Sequence, residues 1–275
     1  MSDVRAVLGI DAAWTLAQPS GVALAAETAT GWRLVAVASS YQQFQALAEG
    51  RQSTDCASTG SAPDAISLLH CARVLCGRPI NLAAVDMPLA HSPIIARRAS
   101  DNAVSRVYGA RKCGTHSPNA IRPGRISDDL RRRFEEAGYP PCTEAIQSPG
   151  LIEVYPHPAL VELASAAERL RYKAAKGRSY WPSLNPDERR KKIFATWAQI
   201  VLLLNAQLAG VSAALPPPHC TDRGRILKAY EDKLDAVVCA WIAISALERR
   251  AVPYGDQDSA IWIPLVKANL DPSAR

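Results

Sequence analysis

The chain has no apolar run long enough to span a bilayer, so it is read as having no membrane partner. Its opening residues, MSDVRAVLGID, lack the basic, apolar and small-residue order of a secretory leader, and none is expected. Seven cysteines (Cys56, Cys71, Cys76, Cys113, Cys142, Cys220, Cys239) form no CxxC pair and are odd in number. That argues against a disulfide framework or a zinc knuckle, and for reduced thiols in a cytoplasmic protein. Glycine is sparse, 15 in 275 residues, with no evident glycine-rich adenosine motif and no internal repeat.

What is present is a large apolar fraction, 48%, beside 21% charged residues. That suffices for the core of one elaborated domain over 1–275. The net charge of +6 is concentrated: Arg97 to Arg133 holds ten Arg and Lys against three Asp. Such a segment either forms a solvated loop or meets phosphate, nucleic acid first.

Short runs apolar on both faces, 4–11 and 81–88, read as central strands. Residues 21–27 and 33–40 flank TATGW as a hairpin, 151–156 is a further strand, and 260–266 a closing edge strand. Helical spacing marks 63–77, 158–172, 183–210 and 230–249, with a shorter helix over 128–138. Asn185, Pro186, Asp187 and Glu188 form a strong helix start. Residues 42–61 suggest a helix fragment and loop, and 90–148 a basic insertion. The expected fold is a mixed α/β sheet of five strands, three antiparallel and then parallel, flanked by helices, with 260–266 added at its edge.

Acids fall at telling places in this scheme. Asp11 ends the first strand, Asp86 nearly ends the fourth, and Glu153 lies in the fifth. Ligands of such sheets bind beyond the carboxyl ends of the strands, and an ionised acid there needs a cleft, a partner or a metal. Asp232 and Asp235, in KAYEDKLDAVVCAW, either cap the last helix or point inward along its apolar stripe. Converging carboxylates repel unless a cation holds them, and their hard oxygens suit Mg²⁺ or Mn²⁺. Two such ions could clamp the attacking and leaving oxygens of a phosphodiester displacement. The bland readings of other residues are a turn for His157, a loop plug for Trp14, packing for Cys239 and a solvated basic loop for Tyr172 to Trp181. His91 and His116 show no ligand spacing.

GIDAAW (9–14), AVDMPLA (84–90), IEVYPHP (152–158) and DKLDAVVCAW (232–241), in this order, resemble a prokaryotic family, domain of unknown function 429, described as a predicted nuclease of RNase H fold. The Asp-x-x-Asp helix also resembles the Holliday-junction resolvase branch of that fold. The resemblance spans nearly the whole chain. It implies Asp11, Asp86, Asp232 and Asp235 as metal ligands for two Mg or Mn ions, with Glu153 as a further ligand or an orienter of water. It implies phosphate contacts from the insertion, here Arg97, Arg98, Arg106, Arg111 and Lys112. Resolvase relatives act as dimers, so a homodimer is compatible with it, although no interface is specified. The expected function is a metal-dependent nuclease. The rivals are an ATP-using phosphotransferase of the sugar-kinase and actin-like superfamily, or a non-catalytic nucleic-acid-binding protein. The first generally needs a second copy of the fold, which the sequence lacks; the second predicts gaps among the acids, and none is visible.

Overall fold

The computed structural model describes residues 4–51 and 59–265. Its frame is set by strand β1 (Ala6–Asp11), buried on both faces until its last residue. Strands β2 (Gly21–Thr28) and β3 (Gly31–Ala38) follow as an antiparallel pair, turned at Gly31, whose φ of 114° a side chain would resist. Helix α1 (Tyr41–Ala48) starts at a Ser40 cap, and α2 (Ala65–Cys76) runs from an Asp64 cap to Gly77, left-handed as helix ends favour. Part of the expected helix and loop over 42–61, including Cys56, lies outside the described residues. The other six cysteines are free thiols.

Strand β4 (Leu82–Val85) lies parallel to β1. The insertion then supplies two helices, α3 (Ala99–Tyr108) and α4 (Arg125–Glu136), where the sequence suggests one. Strand β5 (Gly150–Val154) joins β4 in parallel and leads into α5 (Pro156–Leu163). The helix expected over 158–172 stops there. Residues 164–185 are instead irregular, burying Tyr172, with one 3₁₀ turn (Ala174–Lys176) and a short helix α6 (Gly177–Tyr180). Helix α7 (Pro186–Gln207) has the expected start, with Asn185 and Glu188 closing a capping box. A short α8 (Val211–Ala214) precedes α9 (Arg225–Leu247), and β6 (Ala251–Gly255) and β7 (Ala260–Pro264) end the described chain.

The sheet has seven strands rather than five, in the order β3-β2-β1-β4-β5-β7-β6. Strand β7 is not the edge: it pairs with β5 in parallel, and β6 closes the sheet antiparallel to it. Pro253 and Gly255 weaken the strand signal of β6, and an edge position tolerates such a proline. Helices cover both faces. Val7, Ala84 and Ile152 pack toward α5, α7 and α9, while Leu8, Val85 and Leu151 pack toward α1, α2 and α4. No helix among the described residues is long and apolar enough to cross a membrane.

Candidate carboxylate centre

Asp11 and Asp86 stand side by side where two parallel strands end. The ladder runs to them, with the Asp86 N–H bonded to the Ile10 carbonyl at 2.9 Å. Both are half-buried, and their carboxylates make no hydrogen bond or ion pair among the described residues. They line a cleft of about 410 Å³ whose wall carries Trp14, His116, Asn119 and Arg122. Arg122 lies over the Trp14 ring at 5.8 Å, and His116 meets its edge at 6.4 Å.

The other two acids come down from α9, and two glycines let them. A Cβ on Gly9 would lie 2.3 Å from the Ala240 nitrogen, and one on Gly21 only 2.1 Å from the Asp232 carbonyl oxygen. The helix backbone is therefore pressed onto β1 and β2. Gly21 is the register partner of Asp11, which sets Asp232 over the end of β1. Asp232 and Asp235 are 1% and 0% exposed. Because α9 begins at Arg225, neither is in its first turn, which removes the capping reading.

The partners of the pair are a phenol and two ammonium groups, two of them far off in sequence and one a single turn away. The Tyr172 hydroxyl donates to Asp235 Oδ1 at 2.7 Å, and the Lys173 ammonium pairs with Asp235 Oδ2. Lys228 pairs with Asp232 one turn away, while the second oxygen of Asp232, Oδ2, is buried with no partner among the described residues. Glu231 joins the network, 3.5 Å from the Lys173 ammonium and accepting the Ala174 N–H at 2.8 Å.

The electrostatics follow. Burial, then the charges of Asp235 and Asp232, push Asp11 well above the usual carboxylate range, against the pull of Lys173 and Lys228. Burial and then Asp235 lift Asp86 to about 7. Burial lifts Asp232 to about 6 although Lys228 opposes it. Burial disfavours the Lys173 ammonium, but Asp235 and its neighbours outweigh this and hold the proton more firmly than usual. The centre is thus short of positive charge at Asp11 and Asp86 even with both lysines in place.

Among the described residues no three His, Cys, Asp or Glu side chains form a ready ligand cage for a metal ion. The donor set nonetheless fits a hard cation: all oxygen, two unpaired carboxylates at the cleft and one buried orphan oxygen beside them.

Glu153 lines a smaller cleft with Asp86, and its charge adds to the upward push on Asp86, but it does not face the two acids of α9. Period-two alternation places it opposite Ile152 and Val154, on the face away from α9, in register with Val85. Arg98 grips both its oxygens, at 2.5 and 2.8 Å, and the Leu89 N–H donates to it at 2.7 Å. Arg98 also bonds Asp101 and the Leu89 carbonyl, so all five of its donors are committed inside the protein. This corrects its expected phosphate-facing role: Arg98 ties the insertion to β5. Arg97 is likewise committed, to Asn102, Ser105, Ser117 and the carbonyls of Asp101 and Thr115, and so holds the cleft wall. Arg111 pairs with Glu162 and Lys112 with Glu168, away from the cleft, and Arg106 is exposed.

Lys173, Lys228, His116, Asn119 and Arg122 are the neighbours that sequence reasoning missed. Only Lys228, four residues before Asp232 on one helix, left a signal in the spacing.

No curated protein and no solved structure matches the chain. One family model does, over residues 9–259, and the chain therefore belongs to the family described as Protein of unknown function (DUF429).

Proposed function

We propose that the chain is a Mg²⁺- or Mn²⁺-dependent nuclease of the RNase H-like kind, acting on nucleic acid at the cleft above Asp11 and Asp86. The observation that carries this reading is the meeting of four aspartates from β1, the end of β4 and α9 at the carboxyl end of adjacent parallel strands. The run β3-β2-β1-β4-β5 within the sheet, antiparallel and then parallel, also supports it.

Asp11, Asp86 and Asp232 would hold the metal, with Asp235 beside them. Bound there, divalent ions supply Lewis-acid activation of a phosphodiester and a hydroxide nucleophile at neutral pH. The chain's own residues do the rest. Trp14 offers a ring face for a base and Arg122, stacked on it, a guanidinium for the adjoining phosphate. Tyr172 and Lys173 fix the orientation of Asp235 from behind.

The test begins without a substrate: crystals soaked in excess Mn²⁺ and an anomalous difference map. A peak between Asp11, Asp86 and Asp232 is expected, absent in Asp11→Asn. Hydrolysis of single-stranded, duplex and branched DNA and RNA is then compared for the two proteins. No manganese at these acids at high concentration, and no cleavage of any substrate, would overturn the proposal.

A further inference from the structure

We infer that a second cleft, lined by Arg169, Lys176 and Tyr180, is a binding site for a phosphate ester. It lies in the segment between α5 and α7, has a volume of about 310 Å³, and is lined also by Lys112, Glu168 and Arg171. The cleft does not depend on hydrolysis at the aspartates.

The argument rests on what Arg169 lacks. The half-buried and buried arginines of the insertion are spent: Arg97 and Arg98 on five acceptors each, Arg111 on Glu162 and the Ala166 carbonyl. Arg131, whose Nε is also unpaired, still has Glu135. Arg169 differs from these: among the described residues it has neither an ion pair nor a side-chain hydrogen bond, and its Nε is buried without a partner there. Its electrostatic neighbours include Tyr155, His157, Cys113 and Tyr180, none of which carries a negative charge at neutral pH. A partly buried, uncompensated guanidinium is costly, and an anion in the cleft would relieve that cost.

The rest of the lining suits the same ligand. Lys176 is exposed and carries no ion pair among the described residues. The buried Tyr180 hydroxyl lies against the Lys173 backbone without closing a hydrogen bond. The one carboxylate of the cleft, Glu168, is already held by Lys112 and Arg171. A guanidinium, an ammonium and a phenol with free donors match the several acceptor oxygens of a phosphoryl group. The segment is anchored for the purpose, since the Arg169 N–H donates to the Arg111 carbonyl at 2.8 Å.

Binding is measured on the full chain in EDTA, by titration with inorganic phosphate, with adenosine monophosphate and with a fluorescein-labelled single-stranded oligonucleotide. Arg169→Gln and Lys176→Ala are each expected to weaken binding about tenfold or more, as for loss of a charged hydrogen bond. Arg169→Gln breaks no side-chain bond, so it should melt no lower than wild type, and Lys176→Ala changes an exposed position. Arg133→Gln, exposed and outside the cleft, controls for general charge. If the oligonucleotide binds with this dependence and inorganic phosphate competes, the occupant is a backbone phosphate. If only phosphate and the mononucleotide do so, it is a small phosphate ester. If Arg133→Gln loses as much as Arg169→Gln, or neither cleft variant loses anything, the site does not exist. Because no metal is present, that failure is separate from failure of the nuclease reading.

Discussion

Lys173 decides how the carboxylate centre is held. In sequence it belongs to a basic run read as a solvated loop, because its partner Asp235 is 62 positions away and no periodicity links them. Removing it leaves Asp235 buried beside Asp11 with only the Tyr172 hydroxyl. Lys173→Met is therefore expected to cost about 3–5 kcal/mol in chemical denaturation. If the aspartates bind divalent ions, saturating Mn²⁺ should restore more of this loss than it adds to wild type. Equal manganese responses in both proteins would show that the lysine and the ion do not serve the same acids. His157 gives a second residue-scale prediction. It is buried between the rings of Tyr155 and Tyr172, each 5.4 Å away, and burial followed by the charges of Lys173 and Arg169 holds it well below 6.5. The folded protein keeps it neutral while the unfolded chain protonates it, so its contribution falls as pH drops below about 6.5. Asp86 and Asp232, lifted to about 7 and 6, act in the opposite direction, since the folded state binds their protons first. The sign is read from the difference between wild type and His157→Phe, which should grow in the variant's favour by up to about 1.4 kcal/mol per pH unit. Urea denaturation at pH 7.5, 6 and 5 measures it, and a constant difference would exclude the effect.

At the scale of elements, α9 and its two glycines make the site. Ala at Gly9 or Gly21 must push helix backbone away by more than a flexible side chain could absorb. Each substitution is expected to destabilise by about 3 kcal/mol or more, at the upper end for overpacking. At Gly77, left-handed but facing open space, Ala should cost only about 1–2 kcal/mol. Thermal denaturation of the three variants distinguishes them, and similar losses would mean that the close approach of α9 is not tight. The same helix shows why boundaries were hard to read. It starts after Gly224, at φ 51°, with no capping side chain, so nothing at Arg225 announces it and Asp232 looks nearer the start than it is. Where a cap is written in the sequence, as at Asn185 or Asp64, the helix begins where the residues say. Strand β6 was hidden by Pro253 and Gly255, which only an edge position accommodates.

Across the whole molecule, legibility divides by distance. Apart from β6, the strands, their alternation and the places of the four aspartates could be read locally, because each reports its own burial. Glu153 could have been separated from them by the same period-two rule, since Ile152 and Val154 flank it on the α9 side. What no local rule yields is the set of long-range partners: Arg98 for Glu153, Lys173 for Asp235, and the return of residues 115–122 to wall the cleft. That return depends on β7, whose Ile261 is the register partner of Glu153. Ile261 and Ile263 of β7 pack against Val104 and Tyr108 of α3, and Asp258 holds the Ser92 N–H at 2.8 Å. Replacing both isoleucines by alanine removes the platform beneath α3, while Asp11 and the seat of α9 on β1 and β2 keep their own packing. Residues 90–123 should then open before the domain unfolds, because their main remaining anchor is the polar link of Arg98 to Glu153 and Asp101 rather than apolar packing. The segment is rich in arginine, so trypsin in native buffer should cut it first and at least tenfold faster than in wild type. Cuts spread over the whole chain at the rate of global unfolding would instead show that the insertion and the sheet open as one unit.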